Sequence, residues 1–199
     1  MLASINPLGE RARRTRWGRT VVWYVLGSTA GGLLIGAASG AVGIGLRWLI
    51  SPSPTATGAV VVAACVAGLL LDLGPAGVRV PSRRRQVNEN WLGHYRGWVY
   101  GTGFGFQLGT GVATTVTTAA VYVLLVLAVL SGSMGSALLI GAVFGTVRAL
   151  PLLAVGRAHD PERLRAVLSR MHAIAGVGRV AAVGGLFLVA AASLAVVVG

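Results

Sequence analysis

Apolar residues dominate five long runs of this chain: Val21–Ile50, Thr57–Leu73, Trp98–Leu130, Met134–Val155 and Val177–Val198. A helix that crosses a bilayer needs about 20 mostly apolar residues. The pattern therefore predicts an all-α fold, a polytopic transmembrane helix bundle of about five spans forming a single integral membrane domain over residues 1–199. The first and third runs are too long. At about 1.5 Å per residue, Trp98–Leu130 would extend roughly 50 Å against a hydrocarbon core of about 30 Å, so it must tilt, project or break. Glycines at 101, 103, 105, 109 and 111 favour a break or a close helix contact in its first half, because small residues let backbones approach in a membrane. Gly32, Gly36 and Gly40 mirror Gly101, Gly105 and Gly109. Each of these two runs leads through a short turn to a second one, which fits a duplicated two-helix unit closed by a fifth helix.

The polar stretches between the runs differ in kind. Arginines cluster at Arg11–Arg19, Arg79–Arg96 and Arg157–Arg179, whereas Ser51–Gly58 and Ser131–Ser136 carry no charge. Short loops rich in basic residues stay cytoplasmic. Five crossings from a cytoplasmic N-terminus put every arginine cluster inside and Gly199 outside, as expected of a multi-pass inner-membrane protein. Two cytoplasmic segments also carry apolar stripes. From Asp160, an N-cap residue, and Pro161, at the first helical position, Leu164, Val167, Leu168, Met171 and Ile174 recur at helical spacing, predicting an amphipathic interfacial helix over about 160–174. Val87, Trp91, Tyr95 and Trp98 form a similar, mostly aromatic stripe over about 86–97.

Composition supports the membrane assignment. Hydrophobic residues make up 55% of the chain, charged residues 11%, and mean hydropathy is +0.77; soluble proteins carry about 25% charged residues. All 17 basic residues are arginine, and the net charge is +12. These arginines flank apolar runs, so anionic lipid head groups rather than nucleic acid are their expected partners. Glycine-rich helix faces suit a homo-oligomer or a partner membrane protein. The one cysteine, Cys65, lies within an apolar run and reads as a small packed hydrophobe. The run after the first arginine cluster is about twice the length of a signal-peptide core, and is read as a retained span.

Ionisable and amide groups inside a membrane are costly and mark candidate sites. Arg148 lies nine residues before Arg157, and Gln107 eleven residues after Arg96, which places both roughly 13–16 Å from the cytoplasmic boundary. Pro151 predicts a kink beside Arg148. Gly103, Gln107, Thr110, Thr114 and Thr117 fall on one face of a continuous helix. That stripe suits a substrate- or water-lined cavity, or polar contacts gluing one helix to the next. Asp72 is the only acidic residue within a run, placed to pair with Arg148 or to sit at the interface; Arg47 snorkels at the outer end of the first span. The candidate substrate-binding set is Gln107, Thr110, Thr114, Arg148 and Asp72. No H-E-x-x-H, G-x-S-x-G, phosphate-loop or C-x-x-C motif occurs. His94, His159 and His172 lack a ligand framework. Neither enzymatic activity, nor a metal, nor a cofactor is expected.

The stretch G-A-V-F-G-T-V-R-A-L-P-L-L, Gly141–Leu153, resembles a helix of the small thiol–disulfide electron carriers of the CcdA type and of the membrane part of DsbD. Those belong with the LysE-like and sulfite-exporter-like small transporters. Asn88–Gly105 is similar to actinobacterial membrane proteins placed near these groups. The carriers need paired membrane cysteines, and this chain has only Cys65, so the resemblance implies architecture and not thiol relay. The preferred expectation is a transporter-like permease, or permease component, for a small solute, with Arg148 favouring an anion. The alternative is a non-catalytic membrane scaffold or accessory subunit. A hydrated stripe at Gln107–Thr114 supports the first, and dry packing there supports the second.

Overall fold

A computed structural model describes residues 5–74, 94–111, 118–156, 158 and 160–198. All secondary structure among them is helical: α1 (Pro7–Ala12), α2 (Trp17–Ile50), α3 (Pro54–Leu73), α4 (Gly97–Gly109), α5 (Ala120–Leu130), α6 (Met134–Val155) and α7 (Pro161–Val198). The fold is an all-α transmembrane bundle of about five spans. Helices α2, α3, α6 and α7 are each long and apolar enough to cross a membrane. At 13 and 11 residues, α4 and α5 would extend only about 20 and 16 Å, each too short to cross a bilayer alone.

The long third run is thus broken. Helix α4 ends at Gly109, and Gly111 takes a left-handed φ of +68°, a conformation that glycine adopts without penalty. Thr114 and Thr117 lie outside the described residues, and the single helical face expected from Gly103 to Thr117 stops with α4. A second expectation also changes. The amphipathic residues after Asp160 do not form a separate interfacial helix, because α7 continues from Pro161 to Val198 without a break. Most of the 86–97 stripe lies outside the described residues.

Local chemistry explains the ends. Asn6 Oδ1 accepts from the Gly9 amide at 2.8 Å, with Pro7 starting α1. Ser53 and Pro54 start α3 in the same way, and Gly74 ends it in the left-handed conformation at φ +65°.

The chain divides into two compact units. The first contains α1, α2 up to Leu34, α4 and residues 141–175. Its core holds Ile5, Val21, Tyr24, Tyr100, Phe104, Ala149 and Leu152. Gly101, Gly105 and Gly109 of α4 meet the backbones of Thr20, Tyr24 and Ser28, while Gly27 and Gly31 of α2 meet those of Thr102 and Phe106. Both numbers rise together, so α2 and α4 are parallel. Against α6 the order reverses: Gly145 meets Ser28 and Gly141 meets Gly32. The second unit contains the rest of α2, α3, α5, residues 134–140 and the end of α7. Val61, Cys65, Val123 and Leu186 form its core, and Cys65 is fully buried, as expected of a packing residue.

Candidate functional site

The backbone of Ser28 faces both Gly109 and Gly145. Gln107 precedes Gly109 by two residues and Arg148 follows Gly145 by three, so each lies within about one helical turn of that contact. The Arg148 guanidinium lies 5.2 Å from the Phe144 ring centre. Thr110 bonds its own helix, its hydroxyl donating to the Gln107 carbonyl at 2.9 Å. Asp72 lies in the second unit, where its buried Oδ1 accepts from the Ala119 amide at 2.6 Å. Ala119 precedes α5 and gives that helix no side-chain cap. A carboxylate is favoured at such a helix start, so Asp72 anchors α5 from α3.

Between α2 and α6 the polar groups are satisfied in place. Ser28 Oγ donates to the Gly145 carbonyl at 2.6 Å, and Thr29 and Thr146 hydroxyls lie 2.9 Å apart. A Cβ on Gly105, Gly109 or Gly145 would collide with a carbonyl of α2. Small residues here bring backbone against backbone, and the hydroxyls act as interhelical glue. The second unit holds a separate space. A cavity of about 610 Å³ is lined by Arg47, Ser51, Thr57 and Ser193, and the Arg47 side chain packs over Gly132.

The most connected polar group is one that the apolar pattern did not reveal. Glu10 is fully buried. It accepts from Tyr100 Oη at 2.5 Å, Thr20 and Thr15 hydroxyls at 2.6 Å each, and Arg13 at 2.9 Å. The Arg13 guanidinium also lies 5.9 Å from the Tyr100 ring centre. Burial pushes the Glu10 carboxyl up, but the four donors outweigh it and hold its pKa below the ordinary 4.5. This node ties α1 to the starts of α2 and α4. The sequence held two signals: the N-P pair that starts α1, and a lone acid ahead of five arginines. One of its four partners, Tyr100, lies 90 residues away.

Comparison with known proteins supplies a different relationship from the one expected. The chain is 31% identical over 155 residues to the methylamine utilization protein MauF of Methylophilus methylotrophus, an alignment covering 76% of this chain and 53% of that protein. It is 32% identical over 161 residues to MauF of Paracoccus versutus, covering 76% and 55%, and 30% identical over 153 residues to MauF of Methylorubrum extorquens, covering 76% and 53%. The chain spans about half the length of the curated relatives it matches. These matches overturn the resemblance to CcdA-type carriers and LysE-like exporters: Gly141–Leu153 reflects the small-residue composition that close-packed membrane helices share. No family model matches the chain, and no solved structure matches it.

Proposed function

We propose that this chain is a non-catalytic accessory protein of the inner membrane that serves methylamine utilization by binding a partner protein. The observation that carries the reading is the closed packing of α2 against α4 and α6, where glycines bring backbone against backbone and the hydroxyls of Ser28, Thr29 and Thr146 are satisfied in place. The similarity to MauF supplies the process. The glycines of α2, α4 and α6 discussed above meet neighbouring backbone, whereas Gly176, Gly178, Gly184 and Gly185 of α7 meet nothing. Gly178, Ala181, Gly185 and Leu188 recur at helical spacing and are all exposed. Such a face suits a partner helix. The arginine clusters support a cytoplasmic N-terminus and an external end for α7.

The test is deletion of the gene in its host, followed by growth on methylamine and uptake of labelled methylamine by whole cells. The proposal expects growth to fail while initial uptake is unchanged. Loss of uptake in parallel with growth would restore the permease reading, and normal growth would remove the link to methylamine.

A further inference from the structure

The first unit holds a cleft of about 330 Å³ lined by Arg14, Arg16, Arg19 and Arg96, with Trp98 at its edge. All four arginines are exposed. The ion pairs among the described residues, Arg13–Glu10 and Arg163–Asp160, engage none of them. Two helix starts reach the same place. Helix α2 begins at Trp17 and α4 at Gly97, the two run parallel, and neither has an acidic residue in its first turn. The α4 start has no side-chain cap. The Arg19 and Val99 amides already donate to the Arg16 and Arg96 carbonyls, and the amides ahead of them in each first turn lack intrahelical acceptors and carry partial positive charge. Thr15 and Thr20 line the cleft as well, but their hydroxyls donate to Glu10. The donors left for a ligand are guanidinium and backbone N–H groups, all of one sign.

The backbone is also committed to this arrangement. Arg14 takes a left-handed φ of 56°, which costs a residue with a side chain and which glycine would adopt freely. The buried Glu10 node fixes the turn from the other side. Trp98 is 46% exposed, and its ring lies 6.0 Å from that of Trp23, an aromatic pair of the kind found at head-group level.

We propose that this cleft is a defined binding site for a phosphate-bearing anion, seated on the four guanidinium groups and the amides of the two helix starts. Arginine suits this ligand because its planar fork donates two parallel hydrogen bonds to a phosphate. The site is independent of the accessory role proposed above. It differs from diffuse attraction of a basic protein to an anionic surface in being saturable and local.

The test uses the full chain in neutral detergent, with lipid adducts counted by native mass spectrometry. The probes are phosphatidylglycerol, phosphatidylcholine and inorganic phosphate. One phosphatidylglycerol should bind saturably, and the Arg19→Gln, Arg96→Gln double variant should weaken it about tenfold or more, given what each basic group contributes near an anionic surface. Arg165→Gln with Arg170→Gln removes the same charge from α7 and should leave affinity within about twofold of wild type. Equal losses in the two double variants would overturn the site. Competition by millimolar inorganic phosphate would assign the anion to a soluble phosphate, and its failure to compete would assign it to a lipid head group. If the cleft variant does not fold, wild type decides: a phosphatidylglycerol adduct displaced equally well by phosphatidylcholine would overturn the proposal.

Discussion

Removing the Glu10 carboxylate should be among the most damaging single changes outside the membrane spans. Glu10→Ala deletes the acceptor of four hydrogen bonds, from Tyr100, Thr20, Thr15 and Arg13, and strands their donors in a buried position. Each hydrogen bond to a charged group contributes about 1.5–3 kcal/mol, but such terms do not add within one network. Breaking a buried ion pair from one side costs about 3–5 kcal/mol. Arg13 is 28% exposed and regains some hydration, so the lower half of that range is expected. Glu10→Gln keeps the shape and one oxygen, and should lose about 1.5–3 kcal/mol. The Trp23–Trp98 pair supplies the assay: the two rings lie 6.0 Å apart in the same unit as Glu10, so tryptophan emission follows the unfolding of that unit. The sign of the pH dependence follows from the depressed carboxyl. Its stabilisation is complete above about 4.5 and fades as pH falls through the lower folded value. The melting difference between wild type and Glu10→Gln should therefore be constant near neutrality and shrink in acid. A difference that grows below pH 4.5, or a Glu10→Ala protein as stable as wild type, would refute the reasoning.

Three further outcomes follow. Gly105→Ala places a methyl group where Ser28 N and Tyr24 C stand 2.9 Å away, so α2 and α4 must part; the same thermal assay should show a loss of about 1–3 kcal/mol. Asp72→Ala should cost about 1–2 kcal/mol, as loss of a helix cap does, while Asp72→Asn keeps an acceptor for the Ala119 amide and should cost well under half as much. In a Cys65→Ser background, single cysteines at Ser53 and Ser133 should react with an impermeant reagent on one face of the membrane, and one at Arg163 only on the other.

Much of the fold was legible because apolar runs report spans directly. Met134–Val155 is delimited by the uncharged turn before it and the polar segment after it, and α6 occupies those residues. The excess length of Trp98–Leu130 left a tilt, a projection or a break open, and its glycines favoured a break or a close helix contact. The place of the break at Gly109–Gly111 was not announced, because several glycines were equally permissive. Continuity of α7 was hidden for a related reason. The change from amphipathic to apolar pattern at Gly176–Gly178 alters the surroundings of a helix without interrupting its hydrogen bonds. The polar stripe projected one helical period through the turn at Gly111, and its members Thr114 and Thr117 lie outside the described residues. The charge of Asp72 shows in the sequence and left a pairing with Arg148 and a place at the interface both open, whereas the Ala119 amide it holds shows in no local pattern. Glu10 draws one of its four partners, Tyr100, from 90 residues away, and no local pattern carries such a contact.

Whether water reaches the α2–α4–α6 contacts decides between an accessory protein and a permease. The direct measurement is the reactivity of a single cysteine at Ser28, in a Cys65→Ala background, toward a small impermeant methanethiosulfonate in membranes open to both sides. Ser28 is fully buried between Gly109 and Gly145, so the account predicts no labelling there within the time that labels Ser53→Cys completely. Labelling of Ser28→Cys at a comparable rate would show a hydrated path through the glycine contacts and contradict the account.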